Sequence, residues 1–287
     1  MDIFKIMNTN SLQLNLKHRL VDLSTPLVMG IVNVTPDSFY AGNRFGTHKT
    51  ILKGVETMLL EGAGIIDIGG YSTRPTAEVI TQDEEITRLS EGLEVILKRF
   101  PDISISVDTF RSGVARYVVE TYGVDMINDV SGGTLDDLMF ETIAELQVAY
   151  VLMHMRGTPQ TMQHETKYED VVSEVMFFLQ KRLAQLHLLG VNDIVVDPGF
   201  GFAKTLEQNY EILKKLDYFK QLDVPLLAGL SRKSMLTGAL GIDAVDALNA
   251  TTAANMLALV GGASILRVHD VKEAVQTVRI YKKYMKE

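Results

Sequence analysis

The feature that most constrains this chain is an alternation: eight short apolar runs, each followed by a longer stretch whose apolar residues recur with helical spacing. The runs are LVMGIVN (27–33), IIDIG (65–69), ISISVD (103–108), MIND (126–129), YVLMH (150–154), DIVVD (193–197), PLLAG (225–229) and SILRV (264–268). Helices are expected near 48–61, 83–99, 112–121, 136–146, 168–189, 206–217, 244–260 and 271–284. Buried strands alternating with helices are the signature of βαβ units and a parallel sheet. Eight such units in 287 residues imply an α/β chain folded as a single-domain (β/α)8 TIM barrel, with a doubly wound open sheet as the alternative. The barrel is expected over 26–287, with residues 1–25 as an N-terminal extension.

Polar residues sharpen this expectation. Asn33, Asp67, Asp108, Asn128, Asp197 and Arg267 all stand at or near the C-terminal end of an apolar run. In a barrel those ends converge on one mouth, where distant sequence positions meet. A site at that mouth follows from the pattern.

Composition excludes several function classes. The net charge of -8 disfavours a phosphate backbone as a general partner, so no nucleic acid is expected. Cysteine is absent, which removes thiolate nucleophiles, disulfides and Cys-ligated metals. No signal peptide and no apolar stretch of membrane-spanning length are read, so a cytoplasmic protein without membrane association is expected.

The loops after the strands carry the chemistry. NVTPDSF (33–39) follows the first run; Pro36 stiffens an extended turn, and Asn33 to Gly46 could form a lid. GGYSTRP (69–75) offers close backbone approach at its glycines, a hydroxyl at Thr73 and an anion-binding fork at Arg74. Asp108, Asn128 and Asp197 together suit a heterocycle, since a carboxylate accepts two parallel hydrogen bonds from a guanidine-like edge. SRKS (231–234) and RVHD (267–270) follow strands seven and eight, where this fold commonly binds phosphate. Lys233, Arg267 and His269 supply donors there, and Asp270 reads as a helix N-cap. His154, between Met153 and Met155, reads as a packed residue rather than a metal ligand. His18, His48, His164 and His187 read as solvated or loop residues. GFGF (199–202) lacks the spacing of a dinucleotide loop.

Taken in order, NVTPDSF, IDIGGYSTRP, SVDT, INDVSGG, LMHM, DPGFGF, SRKS and RVHD resemble the motifs of the dihydropteroate synthases, from about Leu27 to the C-terminus. The resemblance implies a (β/α)8 barrel, a homodimer and a transferase of folate biosynthesis. Its reaction joins 6-hydroxymethyl-7,8-dihydropterin diphosphate to 4-aminobenzoate, and sulfonamides mimic the second substrate. It implies that the pterin meets Asp108, Asn128, Asp197 and Lys233, with Met153 beside the ring and Arg267 over it. Asn33, Thr73, Arg267 and His269 would meet the diphosphate, with Mg²⁺ bridging it to Asn33. Phe39, Thr73, Arg74, Pro75, Lys233 and Ser234 would form the aminobenzoate pocket. Asp108, Asp197, Lys233 and Arg267 would be the catalytic residues.

Two positions depart from the family pattern. Tyr71 stands where Glu is usual, and Tyr40, Ala41, Gly42, Asn43 replace a Ser-Asp-Gly-Gly continuation of the first loop. Both bear on loop closure and on aminobenzoate affinity. The competing readings are a methyltetrahydrofolate methyltransferase, which needs no pyrophosphate site, and a pterin-binding protein without turnover. NVTPDSF, SRKS and RVHD favour the synthase over the first; Asn33, Arg267 and His269 argue against the second.

Overall fold

A computed structural model of the chain describes residues 12–16, 19–34, 44–73 and 77–285. Two short strands, β1 (Gln13–Leu16) and β2 (Arg19–Asp22), form an antiparallel pair. Eight parallel strands follow: β3 (Leu27–Asn33), β4 (Ile65–Gly69), β5 (Ile105–Asp108), β6 (Met126–Asp129), β7 (Ala149–Met153), β8 (Ile194–Asp197), β9 (Leu227–Ala228) and β10 (Ile265–Val268). The helices are α1 (Arg44–Glu61), α2 (Gln82–Arg99), α3 (Ser112–Tyr122), α4 (Met139–Leu146), α5 (Val171–Leu188), α6 (Leu206–Lys214), α7 (Ser234–Leu240), α8 (Leu248–Val260) and α9 (Val271–Tyr284).

The parallel strands lie in the order β8-β7-β6-β5-β4-β3-β10-β9. A parallel bridge between Val196 and Leu226 joins the two ends, and Val196 N–H donates to the Pro225 carbonyl at 2.9 Å. The sheet therefore closes into the expected barrel, and the open-sheet alternative fails. All eight expected strands are present, with ends displaced by up to a few residues. The expected helix at 206–217 is α6 followed by a 3-10 turn at Leu216–Leu222, and that at 244–260 begins only at Leu248.

Period-two alternation sorts the strand residues. Ile66, Ile68, Val107, Ile127, Leu152, Val196 and Leu266 face outward into one large apolar cluster shared with the helices. Met29, Ile65, Met126, Val151, Val195, Leu227 and Ile265 face inward and fill the N-terminal half of the barrel. Leu14, Leu16 and Leu23 belong to that inner cluster, so the β1–β2 pair and the residue after it stopper the barrel floor. Asn15 N–H fixes it there by donating to Asp193 Oδ1 at 2.8 Å. No strand was expected in this segment. With the floor apolar and sealed, the polar inward residues are left to the opposite, C-terminal end.

Several helices start where their side chains satisfy the orphan amides. Thr81 accepts from Glu84 N–H, Asp170 accepts from Ser173 N–H, and Thr205 forms a reciprocal capping box with Gln208. These caps fix the points at which the mouth loops turn back into helices.

Candidate active site

The inward positions above the apolar floor are Asp67 on β4, Asp108 on β5, Asn128 on β6, Met153 on β7, Asp197 on β8 and Arg267 on β10. Asn33, Gly69, Asp108 and Asn128 are successive register partners, so they form one arc across four strands. Asn33 stands exposed at its end, and its Oδ1 lies 3.7 Å from where a side chain on Gly69 would begin.

Arg267 reaches across β3 to two other strands. Its Nε donates to Asp67 Oδ2 at 2.6 Å and its Nη2 to Asp108 Oδ2 at 2.8 Å. Asn128 Nδ2 donates to the same Asp67 oxygen at 3.1 Å. Asp67 is fully buried and Asn128 is 4% exposed, so these are low-dielectric, charge-assisted bonds.

On the other side of the throat, Asp197 and Lys233 converge over Gly229. A methyl group at Gly229 would sit 3.9 Å from Asp197 Oδ2 and 3.7 Å from Lys233 Nζ, so the glycine keeps that space open. Lys233 Nζ also donates to the Phe200 carbonyl and lies 4.7 Å from the centre of the Phe202 ring. Met153 packs beside Asp197, its register partner, in an apolar wall with Val130, Met155, Met162 and Ala203.

Burial dominates the titration of this cluster. It pushes Asp108 up to about 7, opposed by the Arg267 charge and reinforced by Asp67. It raises Asp197 as well, against the pull of Lys233. It lowers Lys233 to about 8, with Asp197 resisting. For Arg267 burial works against the charge, yet the carboxylates of Asp67 and Asp108 outweigh it and hold the group above its ordinary value.

Behind Asp197 the chain turns tightly. Asp197 Oδ1 accepts from Gly199 N–H at 2.7 Å. Gly199 has φ +73°, and a Cβ there would come 2.0 Å from the His154 carbonyl oxygen, so the turn requires glycine. Lys204 holds the turn from below, donating to the carbonyls of Gly199 at 2.9 Å and Phe202 at 3.0 Å and lying 3.0 Å from His154 Nδ1. Burial holds both Lys204 and His154 well below their usual pKa values. His154 is 2% exposed and packs edge-on against Phe178 and at a tilt against Tyr168, as its packed reading required.

Other expected residues lie nearer the rim. His269 is exposed, with its Nδ1 3.0 Å from Ser231 Oγ and its N–H donating to the same oxygen at 3.2 Å. Ser234 is exposed at the first turn of α7, and Thr73 is half-buried after β4. No hydrogen bond among the described residues joins Thr73 or Ser234 to the throat cluster. Phe39, Arg74 and Pro75 lie outside the described residues, as does the segment containing Ala41.

One reading changes, and one departure from the family pattern gains a place. Asp270 occupies the N-cap position of α9 but makes no side-chain cap. Its carboxylate instead takes a two-bond fork from Arg232, Nε at 2.9 Å and Nη2 at 2.8 Å. Arg232 therefore ties the loop after β9 to the end of β10. Tyr71 is built into the wall. Its hydroxyl accepts from Gln160 Nε2 at 2.9 Å, and its ring meets Phe110 edge-on at 5.4 Å. Arg111 lies over that ring, paired with buried Glu85 and bonded to the carbonyls of Ile80 and Thr81. The loops after β4, β5 and β7 are thus linked through Tyr71.

Sequence reasoning noted Asp67 as a strand-end carboxylate and Ser231 within SRKS but gave neither an individual role, and it missed Lys204 and Arg111. Only for Asp67 was there a usable signal: alternation in IIDIG puts it on the same face as Ile65.

Residues 29–269 match the family described as pterin binding enzymes. The chain is 41% identical over 265 residues to the dihydropteroate synthase of Escherichia coli K12, covering 91% of this chain and 92% of that one. The Yersinia pestis dihydropteroate synthase, solved in complex with a sulfonamide drug, superposes with a TM-score of 0.88 at 37% identity, covering 95% of this chain and 98% of that one. The Xanthomonas albilineans dihydropteroate synthase, solved with 4-aminobenzoic acid, does so with a TM-score of 0.88 at 36% identity, covering 97% and 100%. A closed barrel with a charged, apolar-walled throat, matched in sequence and in fold over nearly its whole length, belongs to the pterin-binding enzymes and, within them, to the dihydropteroate synthases.

Proposed function

We propose that the barrel throat carries out the reaction of this family, joining 6-hydroxymethyl-7,8-dihydropterin diphosphate to 4-aminobenzoate with release of diphosphate. The observation that carries the reading is the throat's charge pattern. Asp67 and Asp108 pair with Arg267, and Asp197 lies against Lys233, so the throat sets buried carboxylates beside two cations. Such a site favours positive charge developing on a bound heterocycle as an anionic leaving group departs. An arylamine attacking that carbon needs no strong general base.

The residues divide the task by position. Asp197 Oδ2, Lys233 Nζ and Asn128 present an acceptor, a donor and an amide to the pterin edge, with Met153 against the ring face. Arg267 has Nε and Nη2 committed to carboxylates, while its Nη1 donates to no described residue and is available to the diphosphate. Ser231 and His269 stand beside the mouth as further donors. Thr73, Ser234 and Lys233, with Phe39, Arg74 and Pro75, are assigned to the aminobenzoate, and the same pocket is the expected sulfonamide site.

Magnesium is assigned to Asn33. The donor set there fits a metal brought in by the substrate: an exposed carboxamide oxygen at the mouth, and among the described residues no group of three acidic or histidine side chains that could hold a resident ion. When bound, the ion neutralises charge on the leaving diphosphate. The reading extends to a cytoplasmic homodimer. For the dimer, support comes from Leu257 and Val260 on α8 and Ile280 and Tyr284 on α9, all more than half exposed. Among the described residues no helix is long and apolar enough to cross a membrane.

Substitution of Arg267 tests the assignment. Arg267→Lys keeps a charge but cannot span Asp67, Asp108 and a phosphate at once. Turnover and inorganic pyrophosphate affinity should each fall by at least about tenfold, the cost of a lost charge-assisted bond. Near-normal turnover would refute the anion role and favour a methyltransferase-like site.

A further inference from the structure

We propose that Asp67 is a positioning residue that sets the hydrogen-bonding direction of Asn128 and the orientation of Arg267 for the condensation. The proposal rests on the throat being the pterin and diphosphate site. Asp67 sits at the centre of β4, fully buried, and carries its bonds on a single oxygen: Oδ2 accepts from Arg267 Nε and from Asn128 Nδ2. Its other oxygen is buried and accepts from no described residue. The two partners arrive from β6 and β10 and are not bonded to each other, so Oδ2 is the joint between them.

Asp67 Oδ2 accepts from Arg267 Nε and so faces Asn128 as an acceptor. Facing Asp67, the Asn128 amide must therefore turn its nitrogen inward, which leaves its carbonyl oxygen as the acceptor for a ligand's N–H. A bond to a neutral hydroxyl or amide would permit the opposite flip. The same oxygen fixes the plane of the guanidinium. With Nε on Asp67 and Nη2 on Asp108, one edge of Arg267 is held against the strands and the other is free for an anion. Asp67 thus couples the two halves of the substrate site through the one oxygen that bonds to both protein partners.

Asp67→Asn keeps the shape and removes the guarantee. With the amide oxygen in the Oδ2 place, both donors keep only an uncharged acceptor and a buried NH2 is left unpaired at the Oδ1 place. With the amide flipped, both donors meet an NH2, so either way the hold on Asn128 or on Arg267 weakens. Two probes read these events separately by calorimetry: 6-hydroxymethylpterin, which lacks the diphosphate, reports Asn128, and inorganic pyrophosphate reports Arg267. In Asp67→Asn at least one affinity should fall about tenfold or more, the scale of a charge-assisted bond. With the reaction's kinetics, kcat should fall by a similar factor while KM for 4-aminobenzoate stays within about threefold. In a double-mutant cycle the pterin loss in Asp67→Asn and Asn128→Ala, or the pyrophosphate loss in Asp67→Asn and Arg267→Ala, should be non-additive. Unchanged affinity for both probes, or additive losses in both cycles, overturns the proposal. A wild-type protein that binds neither probe overturns the reading of the site itself. If Asp67→Asn does not fold, crystal structures of the wild type with and without 6-hydroxymethylpterin and pyrophosphate decide. Both bonds to Asp67 Oδ2 should persist in every state, and loss of either on binding contradicts the assignment.

Discussion

Asp108 and Lys233 titrate toward each other. Asp108 is charged only above about 7, because burial raises it, and Lys233 is charged only below about 8, because burial lowers it. A reaction that needs the carboxylate ionised and the ammonium protonated therefore has a narrow window. We expect a bell-shaped pH profile of kcat/KM for the pterin substrate, falling on the acid side through about 7 and on the alkaline side through about 8. The apparent values belong to the cluster, which includes Asp67, Asp197 and Arg267. In Lys233→Arg the guanidinium stays protonated, so the alkaline fall should vanish while the acid limb remains. An alkaline limb that persists in that variant would contradict the role given to Lys233. The strand-end pattern made Asp108, Asn128, Asp197 and Arg267 legible as mouth residues. The joint at Asp67 was not legible, because Arg267 and Asp67 are 200 positions apart and meet only after the barrel closes.

Among the elements, the turn between β8 and α6 is the most constrained. Lys204 spreads its donors over two backbone carbonyls and the His154 ring, and these contacts hold the Gly199 N–H against Asp197. Lys204→Met keeps the stem but orphans buried acceptors, which costs about 1–3 kcal/mol for each group left unpaired. We expect urea unfolding to show a loss of that order and calorimetry to show weaker 6-hydroxymethylpterin binding, because Asp197 loses its backing. Full stability with unchanged affinity would show the contacts to be incidental. The strands were readable from sequence because buried parallel strands are nearly continuous apolar runs. The β1–β2 pair was not, since QLNL and RLVD are four-residue strands of mixed character whose apolar partners come from the barrel floor. The seven-residue α7 was too short to show a helical period and sat unseen between SRKS and the next helix.

For the whole molecule, the two barrel ends have opposite characters and should be separable by mutation. The floor is apolar and stoppered by Leu14, Leu16 and Leu23; the mouth is charged. Leu16→Ala should destabilise by about 2–5 kcal/mol, as core truncations do. It should leave both KM values unchanged, read from melting temperature and steady-state kinetics on the same sample. A changed KM would mean that the floor and mouth are coupled. The central claim is that this mouth couples pterin binding to departure of an anion. Its most direct test is to mix the purified chain with 6-hydroxymethyl-7,8-dihydropterin diphosphate, 4-aminobenzoate and Mg²⁺, and to follow pyrophosphate and 7,8-dihydropteroate together. The account predicts that the two products appear in equal amounts, and that neither appears at the wild-type rate in Arg267→Lys. Pterin binding without pyrophosphate release in the wild-type protein would contradict it.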